Sequence, residues 1–217
     1  MTLAVPPELP DRGETLRYLR EVTRSAHLAI ENVLGLQTDD LTKERYQQVL
    51  GRLYGFWSTW EPQIGNLFGD EAFLAPRRRA HLLAADLANL GWSEDAILEL
   101  NRCPRLQLPD KRMALGSIYV MEGSSLGGRV ILRNVQRCLK EAGKASSSYF
   151  AGYGADTGRM WQEFLARLEQ SPVHDKEFIG RGALTTFESF RQWIQVPQTQ
   201  KVGPGLSLQI ARVVVRT

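Results

Sequence analysis

The stretch LGSIYVMEGSSLGGRVI, residues 115–131, decides how this chain is read. It has the apolar spacing of a helix, yet it carries Gly116, Gly123 and Gly127. At about 100° per residue, their separations place all three within roughly 40° of one another on a helix. Each glycine in a helix interior costs about 1 kcal/mol relative to alanine. Three on one face therefore do not serve helix stability. A bare backbone stripe admits close approach, either of a neighbouring helix or of a large planar ligand.

Outward from this stretch, nearly everything between Asp11 and Gln195 reads as helix, so the expected fold class is all-α. Asp11 followed by Glu14 resembles a capping box, and Leu16, Leu19, Thr23, Ala26, Ile30 and Leu34 then recur at helical spacing. A second helix is expected from Thr42, carrying Tyr46, Val49, Leu53, Phe56, Trp57 and Trp60. Pro76 is expected to open a third, and Ser93 to cap a short fourth. Asp110 precedes the long glycine-bearing helix, expected to run to Ala142. The segment KASSSYFAGYGADTG, residues 144–158, reads as a loop. A helix over Met160–Leu168 follows, and Ser171-Pro172 starts the last long helix. Residues 1–195 are expected to form one domain. The tail 196–217, punctuated by Pro and Gly, is expected to be irregular or disordered.

Composition excludes several classes of function. Among 217 residues, 27 Lys and Arg stand against 24 Asp and Glu, and they are spread along the chain. A nucleic-acid partner would need a concentrated basic surface, so none is expected. No apolar run is long enough to span a membrane, and no signal peptide is expected at the N-terminus. Cys103 and Cys138 have neither metal-ligand spacing nor a disulfide framework, which suits a reducing, cytoplasmic setting.

The three histidines differ in their neighbours. His27 falls on the inner side of the first helix, beside Ala26 and Ile30. Glu31 is one turn on, where a carboxylate could accept the Nδ1 proton and leave Nε2 for a metal. Arg24 and Arg20 lie one and two turns back, within roughly 60° of His27 around the helix. A satisfied core histidine beside solvated arginines is the plain alternative. A planar metal ligand with pendant carboxylates would require this same edge, because arginine grips carboxylates bidentately. His81, next to the run Arg77–Arg79, and His174, after Pro172, read as exposed. That arginine run reads as a solvated surface, with docking of an acidic partner as the second possibility. No Glu-x-x-His pair is present, against a di-iron carboxylate bundle.

Together, LRYLREVTRSAHLAIE and YVMEGSSLGGRVI resemble the proximal and distal helices of haem oxygenases. They are most similar to the bacterial branch often paired with bacteriophytochromes. YFAGYGADTGRMWQEF and ALTTFESF look like the same branch, and the resemblance covers Leu16–Ile194. It implies a single-domain helical bundle with haem between a proximal and a glycine-kinked distal helix. It also implies His27 as axial ligand, Glu31 as its hydrogen-bond partner, and Arg20 and Arg24 at the propionates. Gly123 and Gly127 would pass over the haem face and Phe187 would line the pocket, while Tyr119, Tyr149 and Tyr153 are each candidates to reach a propionate or the distal waters, among which helical geometry does not choose. Where the animal enzymes have an aspartate that organises distal water, this chain has Ser124. The implied reaction cleaves haem to biliverdin, CO and ferrous iron using O2. Electrons would come from ferredoxin or a flavoprotein reductase, and a bacteriophytochrome is a candidate bilin acceptor. Two other readings stay open: a haem carrier or sensor without turnover, and an interaction module in which the glycine stripe serves helix packing.

Overall fold

The computed structural model describes residues 13–195, except for the side chains of Glu31 and Asn32. Asp11 and the tail beyond Gln195 lie outside the described residues. Regular structure among the described residues is entirely helical: α1 (Glu14–Leu34), α2 (Lys43–Phe68), α3 (Glu71–Leu74), α4 (Ala80–Asn89), α5 (Glu94–Leu98), α6 (Lys111–Ala145), α7 (Ser148–Ala151), α8 (Thr157–Glu169) and α9 (Lys176–Gln195).

Local chemistry sets most of the boundaries. The Thr42 side chain accepts from the Arg45 amide, Ser93 from Ala96, and Asp110 from Arg112 and Met113. Each such cap is worth about 1 kcal/mol. Gly35 and Gly69 end α1 and α2 in the left-handed conformation that glycine takes without steric cost. Pro76 does not open a helix. It lies in a 3-10 turn, Ala75–Arg77, and α4 begins at Ala80. Pro172 likewise precedes a 3-10 turn, Val173–Asp175, before α9. The expected loop at 144–158 contains α7 and a further 3-10 turn at Gly154–Asp156. Helical dihedrals persist in α6 through Gly123 and Gly127, and the departure inside it falls at Lys140 (φ 51°, ψ −123°).

The core lies between α2, α6 and α9, around the fully buried Tyr46, Phe56 and Trp57. Gly116 and Gly182 let α6 and α9 touch backbone to backbone. A Cβ at Gly116 would overlap the Ile179 carbonyl, and one at Gly182 the Met113 carbonyl. Buried hydroxyls fix the register there: Trp60 Nε1 donates to Ser117 Oγ at 2.7 Å, and the Ser117 and Thr186 hydroxyls are hydrogen-bonded to each other at 2.7 Å while Thr186 donates to the Gly182 carbonyl. Asp86 of α4 is wholly buried and accepts the Ser148 and Tyr149 amides, both at 2.9 Å. It thereby holds α7 against the core, and Tyr149 with it.

Candidate functional site

Helices α1, α6 and α9 enclose a cavity of about 500 Å³, a size usual for small-molecule and cofactor sites. His27, Ile30 and Leu34 of α1 line one wall. Gly123, Ser124 and Gly127 of α6 line another. Phe187 and Phe190 of α9, with Trp57, Tyr149 and Trp161, complete an aromatic enclosure. Tyr119 also lines it and lies against Trp161, ring centroids 6.1 Å apart. The His27 ring meets Phe187 edge to face at 6.2 Å.

The glycine stripe resolves into two features. Gly116 is helix packing, as its contact with α9 shows. At Gly123 and Gly127 a Cβ would meet no atom within 4 Å, because both face the cavity. The cavity is therefore walled by bare backbone opposite an imidazole, a cradle that side chains at these positions would fill. Arg20 lines the cavity as well, whereas Arg24 is exposed outside the lining. Apolar walls, an imidazole, two open glycines and a guanidinium fit a flat metal macrocycle with acid substituents. The Glu31 side chain lies outside the described residues.

The arginine run corrects the surface reading. Arg78 is exposed and pairs with Glu71 at 2.7 Å, but Arg77 and Arg79 are only 4% and 3% exposed. After the 3-10 turn the chain is extended at Arg78 (φ −70°, ψ 136°), so the flanking side chains turn inward together. Arg79 lines the cavity, and its backbone amide is accepted by the Glu61 carboxylate. His81 and His174 are exposed, as expected.

Glu122 escapes sequence reasoning, whereas Tyr149 is one of the three candidate tyrosines. Glu122 is 3% exposed, and Tyr153 donates to its Oε1 at 2.6 Å. Burial pushes the Glu122 carboxyl above the ordinary range, while Tyr153, Arg77 and Arg79 pull it back. The signal was present: Glu122 follows the buried Leu115 and Ile118 by seven and four residues, on the inward face of α6. Tyr149 comes from the stretch read as a loop. Its hydroxyl accepts from Trp57 Nε1 at 2.9 Å, and burial raises its pKa.

An all-α bundle with a cavity between a histidine-bearing helix and a glycine-faced helix is able to hold a planar, metal-bearing ligand. The profile of the family described as "Heme oxygenase" matches residues 14–196. A haem oxygenase of Xanthomonas campestris pv. campestris (strain 8004) is 32% identical over 131 residues, 58% of this chain and 73% of that protein. The fold is that of the NO- and CO-bound haem oxygenase from Neisseria meningitidis. That match has a TM-score of 0.66 at 20% identity, covering 88% of this chain and 98% of the other. The chain belongs to the haem oxygenase family and is a haem-degrading enzyme with haem as its ligand. This favours turnover over a carrier or sensor. Among the described residues, no helix is long and apolar enough to cross a membrane.

Proposed function

We propose that haem lies in the α1–α6 cavity with His27 as axial ligand and the Gly123–Gly127 backbone across its opposite face. The observation that carries this reading is the pairing, across one cavity, of His27 with two glycines whose Cβ positions are open. Bound haem supplies the redox chemistry: it activates O2 and is itself the macrocycle opened to biliverdin, CO and ferrous iron.

The residues supply placement. The His27 imidazole would hold the haem from one side and leave the other open. Phe187 restricts the His27 ring from its edge, and Glu31, one turn on, is the proposed acceptor of its second nitrogen's proton. Arg20 grips a propionate at the cavity and Arg24 screens the second from the surface, which together set the in-plane orientation. Tyr119 bounds the haem edge. Bare backbone at Gly123 and Gly127 would let α6 lie closer to bound haem than any side chain would allow, so these positions would serve to orient the group for the ring-opening chemistry it supplies. Ser124 Oγ donates to the Met121 carbonyl at 2.7 Å, so this hydroxyl is tied to its own helix.

Reducing equivalents come from ferredoxin or a flavoprotein reductase in the cytoplasm, and the bilin is suited to a photoreceptor such as a bacteriophytochrome. Residues 1–195 act as one haem-binding domain. The test is anaerobic loading with haem, then O2 and reductant, with chromatographic identification of the bilin isomer. A single biliverdin isomer is expected, with native axial ligation lost in His27→Ala. A stable haem complex that yields no bilin would overturn the reading.

A further inference from the structure

Past the cavity, the glycine face of α6 meets a second element. Asn134 and Cys138 follow Gly127 by seven and eleven residues, which keeps them within roughly 40° of it around the helix. What stands there is the chain between α1 and α2. Asn134 Nδ2 donates to the Leu36 and Thr38 carbonyls at 2.8 and 2.9 Å. Arg137 Nη2 bridges Asn134 Oδ1 and Asp39 Oδ1, both at 2.6 Å. Cys138 Sγ lies 3.6 Å from the Asp39 carbonyl. One face of α6 is thus closed by α9 at Gly116, open to the cavity at Gly123 and Gly127, and tied to the α1–α2 segment at Asn134.

The tied segment is part of the cavity wall. Leu36 is buried and lines the cavity together with Gln37. Gly35, just before them, is left-handed (φ 60°), and the Arg45 side chain of α2 donates to the Leu34 carbonyl at 3.2 Å. The segment therefore hangs by a glycine joint from a helix end that α2 holds in place. The rest of the frame is fixed by packing: α1 lies along α9, and α9 meets α6 backbone to backbone at Gly116 and Gly182. The ties to Asn134 and Arg137 are of the opposite kind, polar and at the surface, with Arg137 and Asp39 both exposed. Exposed polar contacts are individually weak, so they part locally while the helices stay folded.

We propose that residues 36–39 form a gate to the cavity, latched on α6 by Asn134 and Arg137, whose opening admits haem and releases the tetrapyrrole product. With the latch parted, Leu36 and Gln37 swing out of the wall about Gly35 and widen the gap between the His27 wall and the glycine wall at that end. Neither Asn134 nor Arg137 lines the cavity, so the latch makes no contact with the ligand. It governs the rates of passage in both directions and leaves affinity nearly untouched.

The inference rests on the proposed placement of haem, and the test separates the two. Entry of haem into the full chain is followed by stopped-flow absorbance, and exit by transfer to excess apomyoglobin. Asn134→Ala should speed both by roughly fivefold, as loss of a hydrogen bond allows, with the ratio of the two rates held within about twofold. If Asn134→Ala has lost its helical circular dichroism, the exposed Arg137→Glu, which sets a carboxylate against Asp39, carries the test with the same expectation. A folded variant with both rates as in the wild type, or with only one of them changed, overturns the gate and leaves the haem placement standing. A wild-type complex whose spectrum is unchanged in His27→Ala overturns the haem placement, and this inference with it.

Discussion

The His27 imidazole and the Phe187 ring stand edge to face, centroids 6.2 Å apart and planes inclined at 77°. One comes from the first helix and the other from the last, so the closure of the bundle sets the orientation of the proposed ligand. Such ring pairs contribute about 0.5–1.5 kcal/mol beyond area burial. Phe187→Leu should leave the apoprotein folded, weaken haem binding several-fold, and broaden the ligand-field bands as the imidazole gains freedom. Haem titration and absorption spectra check this.

The glycines of α6 should respond with opposite signs. Gly116→Ala forces a methyl into the Ile179 carbonyl, an overpacking that costs about 1–3 kcal/mol or more. Thermal unfolding of the apoprotein should then fall by several degrees. Gly123→Ala meets nothing within 4 Å and should stabilise the apoprotein by up to about 1 kcal/mol through helix propensity. The same methyl intrudes on the haem, so affinity should drop by roughly tenfold, equal to about 1.4 kcal/mol. Equal effects of the two substitutions on apoprotein stability would contradict the division of the stripe.

Arg20 lines the cavity and Arg24 does not. A charge-assisted bond at the cavity is worth about 1.5–3 kcal/mol, and an exposed ion pair about 0–1 kcal/mol. Arg20→Ala should therefore weaken haem binding well beyond Arg24→Ala, and only the effect of Arg24 should vanish at high salt. Haem dissociation constants at low and high ionic strength decide it.

Burial holds the Glu122 carboxyl above its unfolded value, so the native state keeps a proton that the unfolded chain has released. Stability from this group is fully present below the unfolded pKa and is lost as pH rises through the folded one. Glu122→Gln removes that dependence. The melting temperature of the variant, relative to wild type, should rise as pH is taken upward from the ordinary carboxylate range. A difference that stays flat over that rise in pH would place the native Glu122 pKa at its unfolded value.

Much of the helical framework is legible along the chain because its determinants are local. Thr42, Ser93 and Asp110 cap where their side chains reach amides two or three residues on. Pro76 misleads, because a proline also suits a 3-10 turn and nothing local distinguishes the two. The candidate ligand edge is legible too: His27 and Arg20 share a helix, and helical geometry alone brings both to one cavity. Arg77 and Arg79 are not, since a run of three arginines looks solvated until the groups that surround it are known. Glu122, Tyr153 and Met160, which enclose them, lie forty or more residues downstream.

The sequence by itself determined the class of fold, the helix caps, and the common face of Gly116, Gly123 and Gly127, all of which follow from short-range sterics and a fixed helical period. Only the tertiary structure decided what that face meets. Gly116 is closed by the backbone of α9, while Gly123 and Gly127 open onto a cavity opposite His27. The physical reason is that a glycine's role depends on the atom standing where its Cβ would be, and that atom belongs to another helix or to a ligand.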